Sequence, residues 1–170
     1  ALCRILLAKR FGIFPELEML PIGESIESTS ADAVLLIGDR AIGPTSGGFQ
    51  TVWDLGHEWH QWTGLPFVFA VWAARPSVDF ERLGRRLDAA RDAGLANLVT
   101  IAAIEAAPHG LSVPQCLDYL SDNLHYNLGY DERQGLRLFH EYAMELGLAP
   151  SNGNFDAAFQ YSKHFPTGAQ

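Results

Sequence analysis

The sequence predicts an α/β first half followed by a helical second half. Two short, continuously apolar runs, Ala33–Ile37 and Phe67–Ala74, have the length and composition of strands that are buried on both faces of a sheet. After Pro76 the apolar residues recur instead with the 3.6-residue period of amphipathic helices. Because strands separated by short helices favour a mixed or parallel sheet, we expect both runs to lie in one sheet.

A first helix is predicted at the start of the chain. Leu2, Ile5 and Leu6 follow helical spacing, and Gly12 can end the helix. No residue before Leu2 is a good N-cap, so we expect the chain to be the later part of a longer protein. The further elements predicted in this half are short strands at Glu16–Leu20 and Gln50–Asp54, helical turns at residues 23–31 and after Asp39, a loop at Pro44–Gly48 and a helix at Leu55–Thr63.

Helices account for most of the predicted second half. Ser77 is a candidate N-cap for the first of them, and Gly94 is a candidate break. Ser112 can cap a further helix, and Asp131 with Gln134 resembles a capping box for the last one. Their predicted apolar faces consist of Phe80, Leu83, Leu87 and Ala90, of Leu117, Leu120 and Leu124, and of Leu136, Phe139, Ala143 and Leu146.

The composition narrows the range of partners. The chain has 12 basic and 20 acidic residues and a formal net charge of -8, which disfavours nucleic acid and anionic membranes. No apolar run reaches the ~20 residues that a membrane-spanning helix needs. The two cysteines, Cys3 and Cys116, belong to no Cys-x-x-Cys pair and are expected to be ordinary buried thiols. We expect a cytoplasmic protein, whose oligomeric state the sequence leaves open.

A possible zinc site is suggested by His57 and His60 in the stretch His-Glu-Trp-His. Their i, i+3 spacing puts both imidazoles on one helix face, but a zinc-protease helix has its two histidines at i, i+4. A catalytic zinc also needs a third protein ligand, and no motif supplies one. Leu55, Trp59 and Trp62 predict a core-facing stripe on the opposite side, so we expect the two histidines in solvent and no metal.

A candidate ligand site follows the run Ala33–Ile37. Gly38 would let a ligand approach the backbone closely, Asp39 could accept a hydroxyl and Arg40 could pair with a carboxylate. Ligands of α/β sheets bind beyond the carboxyl ends of the strands, where these residues would lie. The simpler alternative is a plain turn, with Asp39 as a helix cap and Arg40 in water.

Three stretches resemble the chorismate dehydratase family of menaquinone biosynthesis, in the futalosine route. They are ADAVLLIGDRAI at residues 31–42, VWDLGHEWHQWTGLPFVFAVWAARP at residues 52–76 and LDYLSDNLHYNLGYDERQGLRLFHEYAMELGLAP at residues 117–150. The resemblance implies a type 2 periplasmic-binding-protein-like fold with two α/β lobes. Residues 1–75 would form part of the second lobe with a returning hinge strand, residues 76–150 a helical segment that packs on the first lobe, and residues 151–170 a tail. The first lobe would precede Ala1.

The resemblance also implies an activity. Members of the family are lyases that remove water from chorismate and give 3-[(1-carboxyvinyl)oxy]benzoate. No cofactor is expected, because aromatisation of the ring supplies the driving force. The substrate-binding residues implied in this chain are Gly38, Asp39, Arg40, Pro66 and Phe67, with Asp39 the best candidate for a catalytic group. With the first lobe missing, the 170 residues alone are expected to be poorly active or inactive.

Two alternatives remain open at this point. The same fold serves transport receptors, so a lobe that binds a small aromatic carboxylate without chemistry is possible. A sister family that makes dihydroxynaphthoate also shares the fold. That family carries His-Glu where this chain has Gly38–Asp39, and it lacks the apolar run Phe67–Trp72, so both features favour the dehydratase.

Overall fold

The computed structural model describes residues 1–41, 49–75 and 77–151, apart from the side chain of Asp39. The predicted loop Pro44–Gly48 and nearly all of the predicted tail lie outside these described residues. The described part divides into two compact units. One contains Ala1–Val68 together with the residues from Asp131 onward, and the other runs from Phe69 to Tyr130.

Three helices form the core of the first unit. They are α1 (Leu2–Phe11), α2 (Leu55–Thr63) and, from the second half of the chain, α6 (Tyr130–Glu145). The fully or nearly fully buried side chains of this core are Leu2, Ile5, Leu6, Trp59 and Ala143. Burial of a large apolar side chain contributes roughly 1.5–3 kcal/mol, so these few residues supply much of the unit's stability.

The ends of α1 and α2 follow the local sequence rules. Gly12 takes a left-handed conformation with φ 67° and closes α1, as predicted. The Asp54 side chain accepts a hydrogen bond of 2.9 Å from the His57 backbone N–H, which caps the start of α2. Gly64, with φ 72°, ends α2 in the same way that Gly12 ends α1. The predicted bounds of the helix Leu55–Thr63 are confirmed.

The strand predictions are wrong for the described part of the chain, in which no residue belongs to a β-strand. The predicted strands were Glu16–Leu20, Ala33–Ile37, Gln50–Asp54 and Phe67–Ala74. Their side chains are not buried on both faces either, since Ile37 is 77% exposed and Trp72 is 85% exposed. A strand is completed by the hydrogen-bond ladder to a neighbour, and an apolar run specifies no such neighbour.

Two predicted helical turns of the first unit are confirmed as short 3₁₀ helices. Ile26–Ser28 lies within the predicted turn 23–31, and the Ser25 hydroxyl caps it by accepting a hydrogen bond of 3.3 Å from the Glu27 backbone N–H. Gly38–Ala41 follows directly after residues 33–37, which have no regular secondary structure. Short 3₁₀ turns of this kind are common connectors between longer elements.

The second unit is helical. It contains α3 (Phe80–Leu95), α4 (Leu98–Glu105), a 3₁₀ turn (Ala107–His109), α5 (Val113–Asp118) and a π-helical turn (Tyr119–Asn123). Its small core contains Ala102, Ala106 and Cys116, with Leu111, Leu117 and Leu120 packed against them. Within the described residues, no helix of either unit is both long and apolar enough to cross a membrane.

The helix starts of the second half agree with the sequence only in part. Ser112 caps α5 in a full capping box with Gln115, so that prediction is confirmed. Asp79 caps α3 in place of Ser77, because its carboxylate accepts from the Arg82 backbone N–H at 3.1 Å. The predicted box from Asp131 is wrong, since α6 already begins at Tyr130 and Asp131 therefore lies in its first turn.

Candidate functional site

An aromatic cluster joins α2 to α6 in the first unit. Trp59 of α2 is fully buried, and its ring lies edge-on to four others. The centroid distances from Trp59 are 5.9 Å to Trp62, 5.6 Å to Phe67, 6.3 Å to Phe139 and 6.3 Å to Tyr142. We call these five residues the aromatic cluster. Edge-to-face geometry is a preferred arrangement of aromatic pairs, and each pair contributes about 0.5–1.5 kcal/mol beyond its buried area.

Pro66 and Phe67, two predicted substrate-binding residues, are fixed against this cluster. The Thr63 hydroxyl accepts from the Leu65 backbone N–H at 3.1 Å and donates to the Trp59 carbonyl at 2.9 Å. This sets the direction of the chain after α2. Phe67 then meets Phe139 edge-on at 5.1 Å. Both predicted residues therefore lie half-buried at the junction of α2 and α6.

The other three predicted site residues lie in one short turn. Gly38 has φ 67°, a left-handed conformation that glycine adopts without strain. Arg40 is exposed, and its guanidinium donates a hydrogen bond of 3.1 Å to the Glu24 carbonyl. The backbone of Asp39 belongs to the 3₁₀ helix Gly38–Ala41, whereas its side chain lies outside the described residues. Arg40 thus faces the segment around Glu24, while Pro66 and Phe67 face α2 and α6.

The placement of His57 and His60 agrees with the sequence. Both are exposed, while Trp59 is buried and Leu55 and Trp62 pack on the core. The His57 ring accepts a hydrogen bond of 2.8 Å from the Gln61 side-chain amide. Among the residues that the structure describes, no group of three or more His, Cys, Asp or Glu side chains could hold a metal ion.

Ion pairs that the sequence did not reveal tie α1 to the two helices of the cluster. Arg10 of α1 bonds the Glu58 carboxylate of α2 at 2.6 Å, and both side chains are about three-quarters buried or more. Lys9 pairs with Glu145 of α6 and lies 4.8 Å from the centroid of the Tyr142 ring. Partners so far apart in sequence carry no local signal, so only the tertiary structure identifies them.

A close contact of Gly135 was also missed. A Cβ built on this residue would overlap the carbonyl oxygen of Pro66 and lie 3.4 Å from its carbonyl carbon and 3.6 Å from Leu65 Cβ. A glycine in the middle of a helical pattern is itself a signal of close packing, and this one was available in the stretch Gln134–Leu136. The sequence does not tell which segment the glycine approaches.

Comparison with known proteins places these residues in a family. A profile described as "Menaquinone biosynthesis" matches residues 1–145. The chain belongs to the menaquinone biosynthesis family. It is 39% identical over 163 residues to a protein of Thermus thermophilus named chorismate dehydratase, an alignment that covers 85% of this chain. The chain spans 59% of the length of that relative. No solved structure matches the chain significantly.

The family match includes every residue of the candidate site. The matched range contains the turn Gly38–Ala41, the pair Pro66 and Phe67, and the whole of α6, which ends at the last matched residue, Glu145. The family predicted from the sequence motifs is therefore confirmed. The individual roles predicted for the site residues remain predictions.

Proposed function

We propose that the protein acts in menaquinone biosynthesis as a chorismate dehydratase, or as part of one. The observation that carries this proposal is the 39% identity to the Thermus thermophilus protein of that name, over 85% of this chain. Gly38 and the apolar run that begins at Phe67 support the dehydratase over the sister dihydroxynaphthoate activity, in which His-Glu replaces Gly38–Asp39. The substrate would then be a small dianion, and the reaction the removal of water.

The chemistry needs an oriented substrate more than a cofactor. A base removes the proton from the ring carbon that carries the enolpyruvyl ether, and the resulting anion is conjugated with the ring carboxylate. The hydroxyl on the neighbouring carbon then leaves with a proton as water, and the ring becomes aromatic. The protein must hold two carboxylates and manage one proton in a site that excludes water.

Within this proposal the site residues have distinct roles. Arg40 pairs with a substrate carboxylate. Its hydrogen bond to the Glu24 carbonyl is broken when the substrate binds. Gly38 allows the substrate to approach the backbone. Its φ of 67° lies in the left-handed region, which favours glycine at this position. Asp39 acts on the substrate hydroxyl. Pro66 and Phe67 form an apolar wall whose place is set by α2 and α6.

The proposal extends to the larger architecture. Residues 1–75 would contribute to the second lobe of a periplasmic-binding-protein-like fold, residues 76–150 would form the returning helical segment, and residues 151–170 a tail. The membership of the menaquinone biosynthesis family supports this arrangement. We also propose that the protein works in the cytoplasm.

The experiment is an assay of the complete gene product, beside the 170-residue chain, with chorismate. With the complete gene product, we expect a new aromatic compound with the mass of chorismate minus water. If the complete gene product is longer than the 170-residue chain, we expect the 170-residue chain to have weak or no activity. Binding of chorismate without turnover would instead favour a solute-binding role and would refute the dehydratase.

A pair of variants tests the role of the turn. Asp39→Ala should lower kcat about 100-fold or more, the usual scale for loss of a positioned acid or base. The exposed neighbour Asp32, which is outside the proposed site, provides the control variant Asp32→Ala, whose kcat should be unchanged. If Asp39→Ala keeps normal turnover, Asp39 is only part of a helical turn, and the alternative stated from the sequence is correct.

A further inference from the structure

The helix α6 approaches the backbone of the segment Leu65–Phe67 at Gly135. The backbone carbonyl of Pro66 occupies the space that any larger side chain at position 135 would need. At two other helical glycines, Gly84 and Gly94 of α3, a built Cβ would have no described neighbour within 4 Å apart from the local backbone of α3. Glycine weakens a helix relative to alanine, so its presence at position 135 is explained by the contact with Pro66.

One turn later, α6 contacts the next residue of the same segment. Phe139 lies at i+4 from Gly135 and therefore on the same helix face. Its ring meets the Phe67 ring at a centroid distance of 5.1 Å and an interplanar angle of 87°. Trp59 holds the Phe67 ring from α2, at 5.6 Å and 70°. The Phe67 ring is thus held by aromatic contacts from two helices, while the preceding carbonyl rests on α6.

We propose that Gly135 and Phe139 are positioning residues for the substrate site, acting through Pro66 and Phe67. This inference rests on the proposed function, in which Pro66 and Phe67 line the site. Pro66 has a fixed φ, so a displacement of its carbonyl by a side chain at position 135 is taken up at its ψ and in the peptide that joins it to Phe67, and therefore passes to Phe67. A shift of about 1 Å in a positioning group can lower catalytic efficiency up to about 100-fold.

The test compares two variants of α6 with a control in the same core. Gly135→Ala places a methyl group against the Pro66 carbonyl, and Phe139→Leu removes the ring contact with Phe67 while keeping an apolar side chain. Leu6→Ala in α1 is the control, because Leu6 is fully buried in the same core but belongs to a different helix. All three are expected to lower the melting temperature, so stability alone does not distinguish them.

Binding and kinetics do distinguish them. The variants are made in the complete gene product and measured below the melting temperature of each. We expect Gly135→Ala and Phe139→Leu to raise KM and the dissociation constant for chorismate about tenfold. We expect Leu6→Ala to leave both constants within about twofold of those of the unmutated protein. If Gly135→Ala does not fold, Phe139→Leu carries the same comparison. Unchanged KM and dissociation constant in a folded Phe139→Leu variant would overturn the inference.

The two proposals fail in different ways. An unmutated protein that binds chorismate but does not convert it refutes the dehydratase, while the dissociation constants still test the positioning role. An unmutated protein that neither binds nor converts chorismate overturns both. An unmutated protein that converts chorismate, with Gly135→Ala and Phe139→Leu no different from Leu6→Ala, refutes the positioning role alone.

Discussion

The indole N–H of Trp59 offers a sharp test of the aromatic cluster. Trp59 is 0% exposed, and its Nε1 atom has no hydrogen-bond partner among the residues that the structure describes. A buried donor without a partner costs about 1–3 kcal/mol, because it loses its hydrogen bond to water on folding. The ring itself is strongly stabilising. The two contributions can be separated by comparing Trp59→Phe with Trp59→Ala.

The expected magnitudes differ clearly between these variants. Trp59→Ala should cost about 3–5 kcal/mol, as for other large buried aromatics. Trp59→Phe leaves a void on the order of 40 Å³, which costs about 1 kcal/mol at about 24 cal/mol per Å³. It also loses about 40 Å² of buried apolar surface, a further loss of about 1 kcal/mol. Removal of the unpaired donor offsets most of this, so Trp59→Phe should lie within about 1 kcal/mol of the unmutated chain.

The assay is chemical denaturation of the chain, followed by far-UV circular dichroism because the mutation itself alters tryptophan fluorescence. A loss of more than about 2 kcal/mol in Trp59→Phe would show that the N–H has a partner, and the account of an unpaired donor would be refuted. Equal losses in Trp59→Phe and Trp59→Ala would refute the role of ring packing as well.

Three further outcomes are expected. Gly84→Ala in α3 should raise stability by about 0.5–1 kcal/mol in a denaturation experiment, because glycine there has a helical φ and open space around it. Asp54→Ala should lower the free energy of unfolding by about 1 kcal/mol, because the cap on the His57 N–H is lost. Asp54→Asn should lower it much less, because the side-chain oxygen of asparagine can accept the same hydrogen bond. Burial raises the pKa of the Cys3 thiol above its ordinary value of 9.0. In a Cys116→Ser variant, alkylation of Cys3 should therefore lag a model thiol at pH 9. Because the folded state holds the thiol proton more tightly, the associated stability should be present below pH 9.0 and be lost as the pH rises through the raised pKa.

Local signals predicted the helices well. The helix Leu55–Thr63 was predicted with its correct bounds from the spacing of its apolar stripe, and in the structure Asp54 caps its start and Gly64 ends it. The N-cap of α3 was misplaced because Ser77 and Asp79 are both good capping residues two positions apart. Which one caps the helix depends on the geometry of the preceding backbone, which the residue types do not specify.

The candidate site was less predictable, because its contacts are long-range. The motif resemblance predicted Pro66 and Phe67 to be site residues, but nothing near them in sequence indicates that α6 holds them. Gly135 and Phe139 lie about 70 residues further along the chain, a separation that follows from their numbers. Periodicity assigned Phe139 to a core-facing stripe, which is correct, without naming the ring on the other side of the contact.

The run Phe67–Ala74 shows why an apolar stretch is ambiguous. Read from the sequence, it is one strand with uniform burial. In the structure its burial changes within the run: Phe67 is half-buried in the aromatic cluster, whereas Trp72 is 85% exposed. The change follows the division of the chain, since the N-terminal segment of the first unit ends at Val68. Hydrophobicity shows that these residues favour burial, but burial also requires a packing partner. Phe67 packs in the aromatic cluster, and Phe67 and Val68 are partly buried, whereas residues 69–74 are exposed, so burial is achieved only at the start of the run.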